Sequence, residues 1–170
     1  MRMHLLALHS AGAAAMLLAG ASATAQDAPR LKPGLWEVKS TFDSGARGPM
    51  TMTMQACHDE ATQRTQFNPA QTAPGQTCGD VRTRRDGAAF VVEVDCERDG
   101  SKVRSVMRTT TQGDGAYTMD GTLTYAPPLR GRDKDTMRIE GKHLGACPAG
   151  MKPGDRKMQG MPAMPPRKAP

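Results

Sequence analysis

KVRSVMRTTTQGDGAYTMDGTLTY (residues 102–125) holds two alternating runs around one turn, and its reading decides the fold. In the first run Val103 and Met107 oppose Lys102, Arg104 and Arg108. Gly113-Asp114-Gly115 then reverses the chain. In the second, Tyr117, Met119, Gly121, Leu123 and Tyr125 alternate with Thr118, Asp120, Thr122 and Thr124. A period of two is the mark of half-buried antiparallel strands, because successive side chains leave opposite faces of the pleat. Just upstream, residues 81–85, a turn at Asp86-Gly87 and residues 90–95 form a second hairpin, with Phe90, Val92 and Val94 on one face. Pairing 81 with 92 and 83 with 90 collects its apolar residues.

The same alternation continues outward. Residues 34–42 put Trp36, Val38 and Phe42 on one face. Met50, Met52, Met54 and Ala56 alternate with threonines and Gln55 as they run into Cys57, and residues 136–144 place Met137 and Ile139 inward. HDEATQRTQF (residues 58–67) is the one segment that reads as a helix, short and weakly capped. Residues 68–77 and 126–135, the latter with Pro127-Pro128, read as loops. Seven strands at short spacing predict an all-β fold, mainly an antiparallel meander that curls into a curved sheet or partial barrel with one short helix. Two small packed sheets are the alternative. Residues 148–170 lack apolar periodicity and are expected to form a disordered tail rich in Met, Pro and Lys.

At 170 residues the chain allows one ordinary domain and excludes a multidomain enzyme. Only six aromatics serve it, Trp36, Phe42, Phe67, Phe90, Tyr117 and Tyr125, so the core is expected to be thin and in need of covalent staples. Residues 1–25 read as a secretory signal peptide. Arg2 is the basic start, the stretch from Leu5 to Ala19 is largely apolar, and Ala23-Thr24-Ala25 is a small-x-small cleavage pattern before Gln26. The expected organisation is signal peptide 1–25, flexible N-terminus 26–31, β domain 32–147 and tail 148–170. Localisation is expected to be periplasmic, soluble after cleavage, with no transmembrane segment in the mature chain. Cleavage removes Arg2 and no acid, which leaves 22 basic against 17 acidic residues, a net +5.

Cys57, Cys78, Cys96 and Cys147 all fall in the exported part, and an even count there reads as two disulfides. Zinc would favour ligand pairs such as CxxC, which are missing. Four cysteines allow three pairings. The preferred one joins Cys78 to Cys96, which flank the Asp86-Gly87 hairpin, and Cys57 to Cys147. The hairpin register places Cys78 opposite Asp95, so a bulge or a diagonal bridge is required.

The PGLWEV opening (residues 33–38), the MTMTM alternation before a cysteine and short acidic helix, the strand pair before a third cysteine, and GKHLGAC (residues 141–147) resemble the exported bacterial family called domain of unknown function 3617. The resemblance covers residues 32–147. It implies a small exported β domain with paired cysteines and no assigned chemistry.

The exported part has just two histidines, His58 and His143, and no GxSxG, HExxH, P-loop or GxGxxG motif, so catalysis is not expected and no cofactor is implied. His58 reads as a surface residue at the helix start, His143 as a hydrogen-bonded core histidine. Methionine is the compositional oddity, at 13 residues. Met50, Met52, Met54, Met107, Met119 and Met137 take inward strand positions, where thioethers fill an irregular core or line an adaptable groove. The groove candidates are Trp36, Met52, Met54, Met119, Tyr117 and Tyr125, for an apolar ligand or lipid. Met158, Met161 and Met164 of the tail are candidates for Cu(I) or another soft metal. Lys102, Arg104, Arg108, Arg130, Arg132, Lys134 and Lys142 make anionic envelope lipid or polysaccharide a further candidate partner. Nucleic acid is not expected, since stacking aromatics are few. The first expectation is a non-catalytic binding or structural module of the cell envelope.

Overall fold

A computed structural model describes residues 28–45, 48–66 and 75–158. The elements are β1 (Gly34–Asp43), β2 (Met50–His58), α1 (Glu60–Gln66), β3 (Gln76–Cys78), β4 (Arg82–Asp86), β5 (Ala89–Arg98), β6 (Ser101–Gln112), β7 (Ala116–Leu129), β8 (Arg132–Gly145) and β9 (Arg156–Met158). All strands belong to one antiparallel sheet in the order β3-β5-β6-β7-β8-β1-β2-β9, with β4 also pairing with β5. The sheet is open: β3 and β4 stand at one edge and β9 at the other. It is therefore the expected all-β antiparallel sheet, neither a closed barrel nor two packed sheets.

Tight turns build the meander from β5 to β8. Asp99-Gly100 and Arg130-Gly131 both have positive φ at the two central positions (49° and 77°, 53° and 77°), the geometry that matches the twist of a two-residue hairpin. The second of these turns corrects the reading of residues 126–135 as a loop. β7 runs on through Pro127-Pro128 to Leu129, which pairs with Arg132. Proline is tolerated because the ladder is interrupted between Thr124 and Leu129, where no backbone donor is required. The β4–β5 turn is one residue later than expected, at Gly87-Ala88, and the register pairs Thr83 with Val92 and Arg85 with Phe90. Because this shift is two residues, the same face stays inward.

β1 is the non-local element. It pairs with β8 (Trp36 opposite His143, Val38 opposite Gly141) and with β2 on its other side (Trp36 opposite Ala56, Val38 opposite Met54). One buried cluster forms there from Leu31, Trp36, Val38, Ala56 and Tyr117, with Met54 and Ile139 against it. Gly141 makes room for it, since a Cβ at that position would run into the Tyr117 ring. A second cluster joins Val94, Cys96 and Val103 to Cys78, Val81, Leu123 and Tyr125.

α1 secures the first cluster. Asp59 Oδ1 accepts the Thr62 amide at 2.8 Å, and Thr62 Oγ1 accepts the Asp59 amide at 2.8 Å, a reciprocal cap stronger than the sequence suggested. From this helix the Gln63 side-chain amide donates to Leu31 O at 3.0 Å and its carbonyl accepts the Leu31 amide at 3.2 Å. Leu31, expected in a flexible N-terminus, is thus pinned over Trp36, 8% exposed.

Both disulfides join the preferred partners. Cys78 and Cys96 face each other directly, Cα atoms 3.9 Å apart. Three residues lie between Cys78 and Arg82 but two between Glu93, opposite Arg82, and Cys96, so one extra residue bulges out at 79–81, as the bridge required. Cys57 and Cys147 (Cα 5.8 Å) connect the end of β2 to the chain beyond β8. The chain after Cys147 departs from the expected disordered tail. Gly154 N donates to Cys57 O at 2.7 Å, Cys57 N donates to Asp155 O at 3.0 Å, and β9 pairs Met158 with Met54. A short extended stretch gains ladder bonds there because β2 would otherwise be an unpaired edge.

Candidate functional site

Cross-strand register sorts every strand residue onto one of two faces. The outer face is an ion-pair lattice. Arg104 reaches Glu93 at 2.6 Å and Asp95 at 3.6 Å, Arg82 pairs with Asp95, Arg108 with Asp86, and Arg138 with Asp120 at 2.8 Å. These contacts hold the Asp86 and Asp95 carboxyls below the usual carboxylate range, through hydrogen bonds from Arg108 and Arg82 above all. Arg104 and Arg108, read from sequence as free docking charge, are therefore spent on neighbouring strands. Composition counts charges but not their partners. Arg130, Lys134 and Lys142 remain exposed. A shallow hollow of about 410 Å³ lies on this side beside Thr41, Asp120, Thr122 and Arg138.

The inner face carries the methionines. Register places Met107 opposite Gly121, Gly121 opposite Met137, Met137 opposite Phe42, and Phe42 opposite Met50. The adjacent row runs through Met119, Ile139, Ser40 and Met52, and the next through Tyr117, Gly141, Val38, Met54 and Met158. Met52, Met54, Met107, Met119, Met137 and Met158 are half-buried, and Met50 is 62% exposed. Among the described elements, the only one outside the sheet is α1, and it packs against β2 alone. Leu31 covers the row through Tyr117 and Val38, and no second layer of described residues lies over the two rows through Gly121 and Met119.

The groove candidates separate accordingly. Met52 and Met119 lie on this open face, while Met54 packs against the cluster of Leu31, Trp36 and Tyr117. Trp36 and Tyr117 do not border a groove: they are 1% and 3% exposed, 5.6 Å apart between ring centroids, beneath Leu31. Alternation identified their face but not the lid, Leu31, which Gln63 of a distant helix holds in place. Tyr125 is half-buried beside the second cluster and donates to Asp135 Oδ2 at 2.8 Å. Burial first, then that carboxylate, pushes its hydroxyl up to about 12. Of the tail candidates, Met158 belongs to the sheet in β9, while Met161 and Met164 lie outside the described residues.

His143 packs edge-on to Trp36 (5.4 Å) with Nε2 3.1 Å from Pro33 O, hydrogen-bonded as expected but half-buried at the margin and not in the core. His58 contradicts its reading as a surface residue. It is 8% exposed, and neither ring nitrogen has a hydrogen-bond partner. Burial, with help from Arg156, lowers its pKa to about 4. Among the described residues no three His, Cys, Asp or Glu side chains gather as a metal site, and no helix is long and apolar enough to cross a membrane.

A family model described as "Protein of unknown function (DUF3617)" matches residues 31–147. No curated protein and no solved structure matches the chain.

Proposed function

The chain belongs to the DUF3617 family, and from that premise we propose that it is an exported, periplasmic binding module that acts without catalysis, its methionine face holding the acyl chain of an envelope lipid. The observation that carries this reading is the set of half-buried thioethers on a sheet face that no other described element covers. Methionine is unbranched and polarizable, so such a face adapts to a flexible apolar chain without a preset shape. The face is also uncharged along its central rows, where Phe42, Val92 and Ile139 join the methionines. From β6 to β2 it spans five strands, about 19 Å at about 4.8 Å per strand, room for a medium-length acyl chain laid across them. Residues 1–25, with their cleavage pattern, support export.

A fluorescent fatty acid titrated into the purified protein tests this reading. Binding should survive roughly 0.5 M salt, which screens surface charge but not apolar contact. Met52→Gln with Met119→Gln, polar replacements of similar length at half-exposed positions, should weaken it at least tenfold with little change in unfolding temperature. No binding by the unaltered protein, or equal binding by the double variant, rejects the lipid reading. Binding lost in salt would instead favour an anionic partner at the exposed cations.

A further inference from the structure

The row through Gly121 brings two thioethers together over one glycine. Gly121 is buried in the middle of β7 at a non-edge position, where an absent side chain weakens a strand unless something occupies its place. What occupies it is the side chains of Met107 and Met137, with Met137 Cγ 2.5 Å from where a Cβ would stand. A Cβ built on Gly121 would stand 2.6 Å from Met107 Sδ and 3.1 Å from Met137 Sδ, so two thioethers from the flanking strands β6 and β8 converge on one small space above the glycine. Of the two inward residues of β7 that flank Gly121, Leu123 and Met119, only Met119 carries sulfur. It lies diagonal to both, a separation long side chains bridge across a sheet. All three are half-buried, sheltered from bulk water yet reachable from the open face.

We infer that Met107, Met137 and Met119 form a thioether site for a soft monovalent cation, Cu(I) or its analogue Ag(I). Thioether sulfur is a soft, neutral donor that favours Cu(I) over the hard divalent ions, and three such donors around one point suit its low coordination number. Neutral donors also leave the ion's charge intact, which fits a site with no carboxylate in these rows. The strands fix the backbone on all three sides, so only side-chain rotation is needed to close it. This site is distinct from the tail methionines and does not depend on the lipid reading, because it uses sulfur lone pairs rather than apolar area.

The test is anaerobic titration of the purified protein with Cu(I) in competition with a chromophoric chelator. The unaltered protein should withdraw about one equivalent. Met107→Leu with Met137→Leu, which keeps volume and apolarity, should weaken withdrawal at least tenfold while the unfolding temperature holds. Met158→Leu with Met161→Leu and Met164→Leu should leave Cu(I) affinity unchanged. Methyl NMR with Ag(I) supplies a readout on the unaltered chain, where the Met107, Met119 and Met137 methyl signals should move and those of Met50 and Met151 should stay. Failure to compete with a weak chelator overturns the site, as does an unchanged affinity in the Met107/Met137 variant. Loss in the tail variant alone would place the ion elsewhere and overturn it equally.

Discussion

His58 shows how far a residue's role can depend on what the fold puts around it. Its neighbours in sequence, Cys57 and Asp59, suggest a polar surface at a helix start. The fold places it at the end of β2 opposite Gly34, where the ring is buried without a hydrogen-bond partner. Burial disfavours the imidazolium, and the Arg156 charge adds to that, against a smaller opposing effect of Asp59. The folded protein therefore binds this proton only near pH 4, while the unfolded chain binds it near 6.5. Stability from this residue is complete above pH 6.5 and is lost as pH falls toward 4, because protons then favour the unfolded state. The expected loss across that window is on the order of 3 kcal/mol, at about 1.4 kcal/mol per pKa unit. Urea unfolding of the unaltered protein and His58→Leu at pH 7.5 and pH 4.5 checks this. The variant should show a clearly flatter pH dependence, and parallel curves would refute the assignment.

Among the elements, the strands were legible because alternation is a local property. Val103 and Met107, or Tyr117 and Leu123, declare a face whatever lies beside them. The two bridges were legible in part, since Cys78 and Cys96 flank a local hairpin, whereas Cys57 with Cys147 followed by elimination. The bridges should differ in their effect on stability. Cys57–Cys147 closes a separation of 90 residues and Cys78–Cys96 one of 18. If loop-closure entropy dominates, removing the long bridge costs about 4.6 kcal/mol and the short one about 3 kcal/mol. Thermal unfolding of Cys57→Ala/Cys147→Ala and Cys78→Ala/Cys96→Ala should rank them in that order. The reverse ranking would mean that strain or local packing around Cys96 outweighs chain entropy. Less legible were the strands at the margins. β3 and β9 are three residues each, too short for a period to show, and Pro127-Pro128 masked the continuation of β7.

For the molecule as a whole, an open sheet must manage two edges. At one, β4 is exposed along its whole length and carries three arginines, charges that discourage another strand from docking. At the other, among the described residues, β9 and the turn at residues 154–155 pair with β2 over residues 54–57, which leaves residues 50–53 of MTMTM as open edge. Ending the chain at Gly150 should uncover β2 and produce concentration-dependent self-association, measured by light scattering during gel filtration. A truncated chain as monomeric as the full one would show that β9 is not what guards this edge. The amino-acid sequence by itself determined the fold class, the family and most inward strand residues, with Met50 exposed and Val91 buried against the alternation, and it favoured one cysteine pairing of three without settling it, because alternation, turn chemistry and motif spacing are written over a few neighbouring positions. Only the tertiary structure decided that β1 closes onto β8, that Leu31 and α1 seal Trp36 and Tyr117 away, that Arg104 and Arg108 are neutralised, and that two sulfurs meet above Gly121. Each of these depends on which distant strand lies alongside, and that is set by long-range packing and charge pairing that no local pattern records.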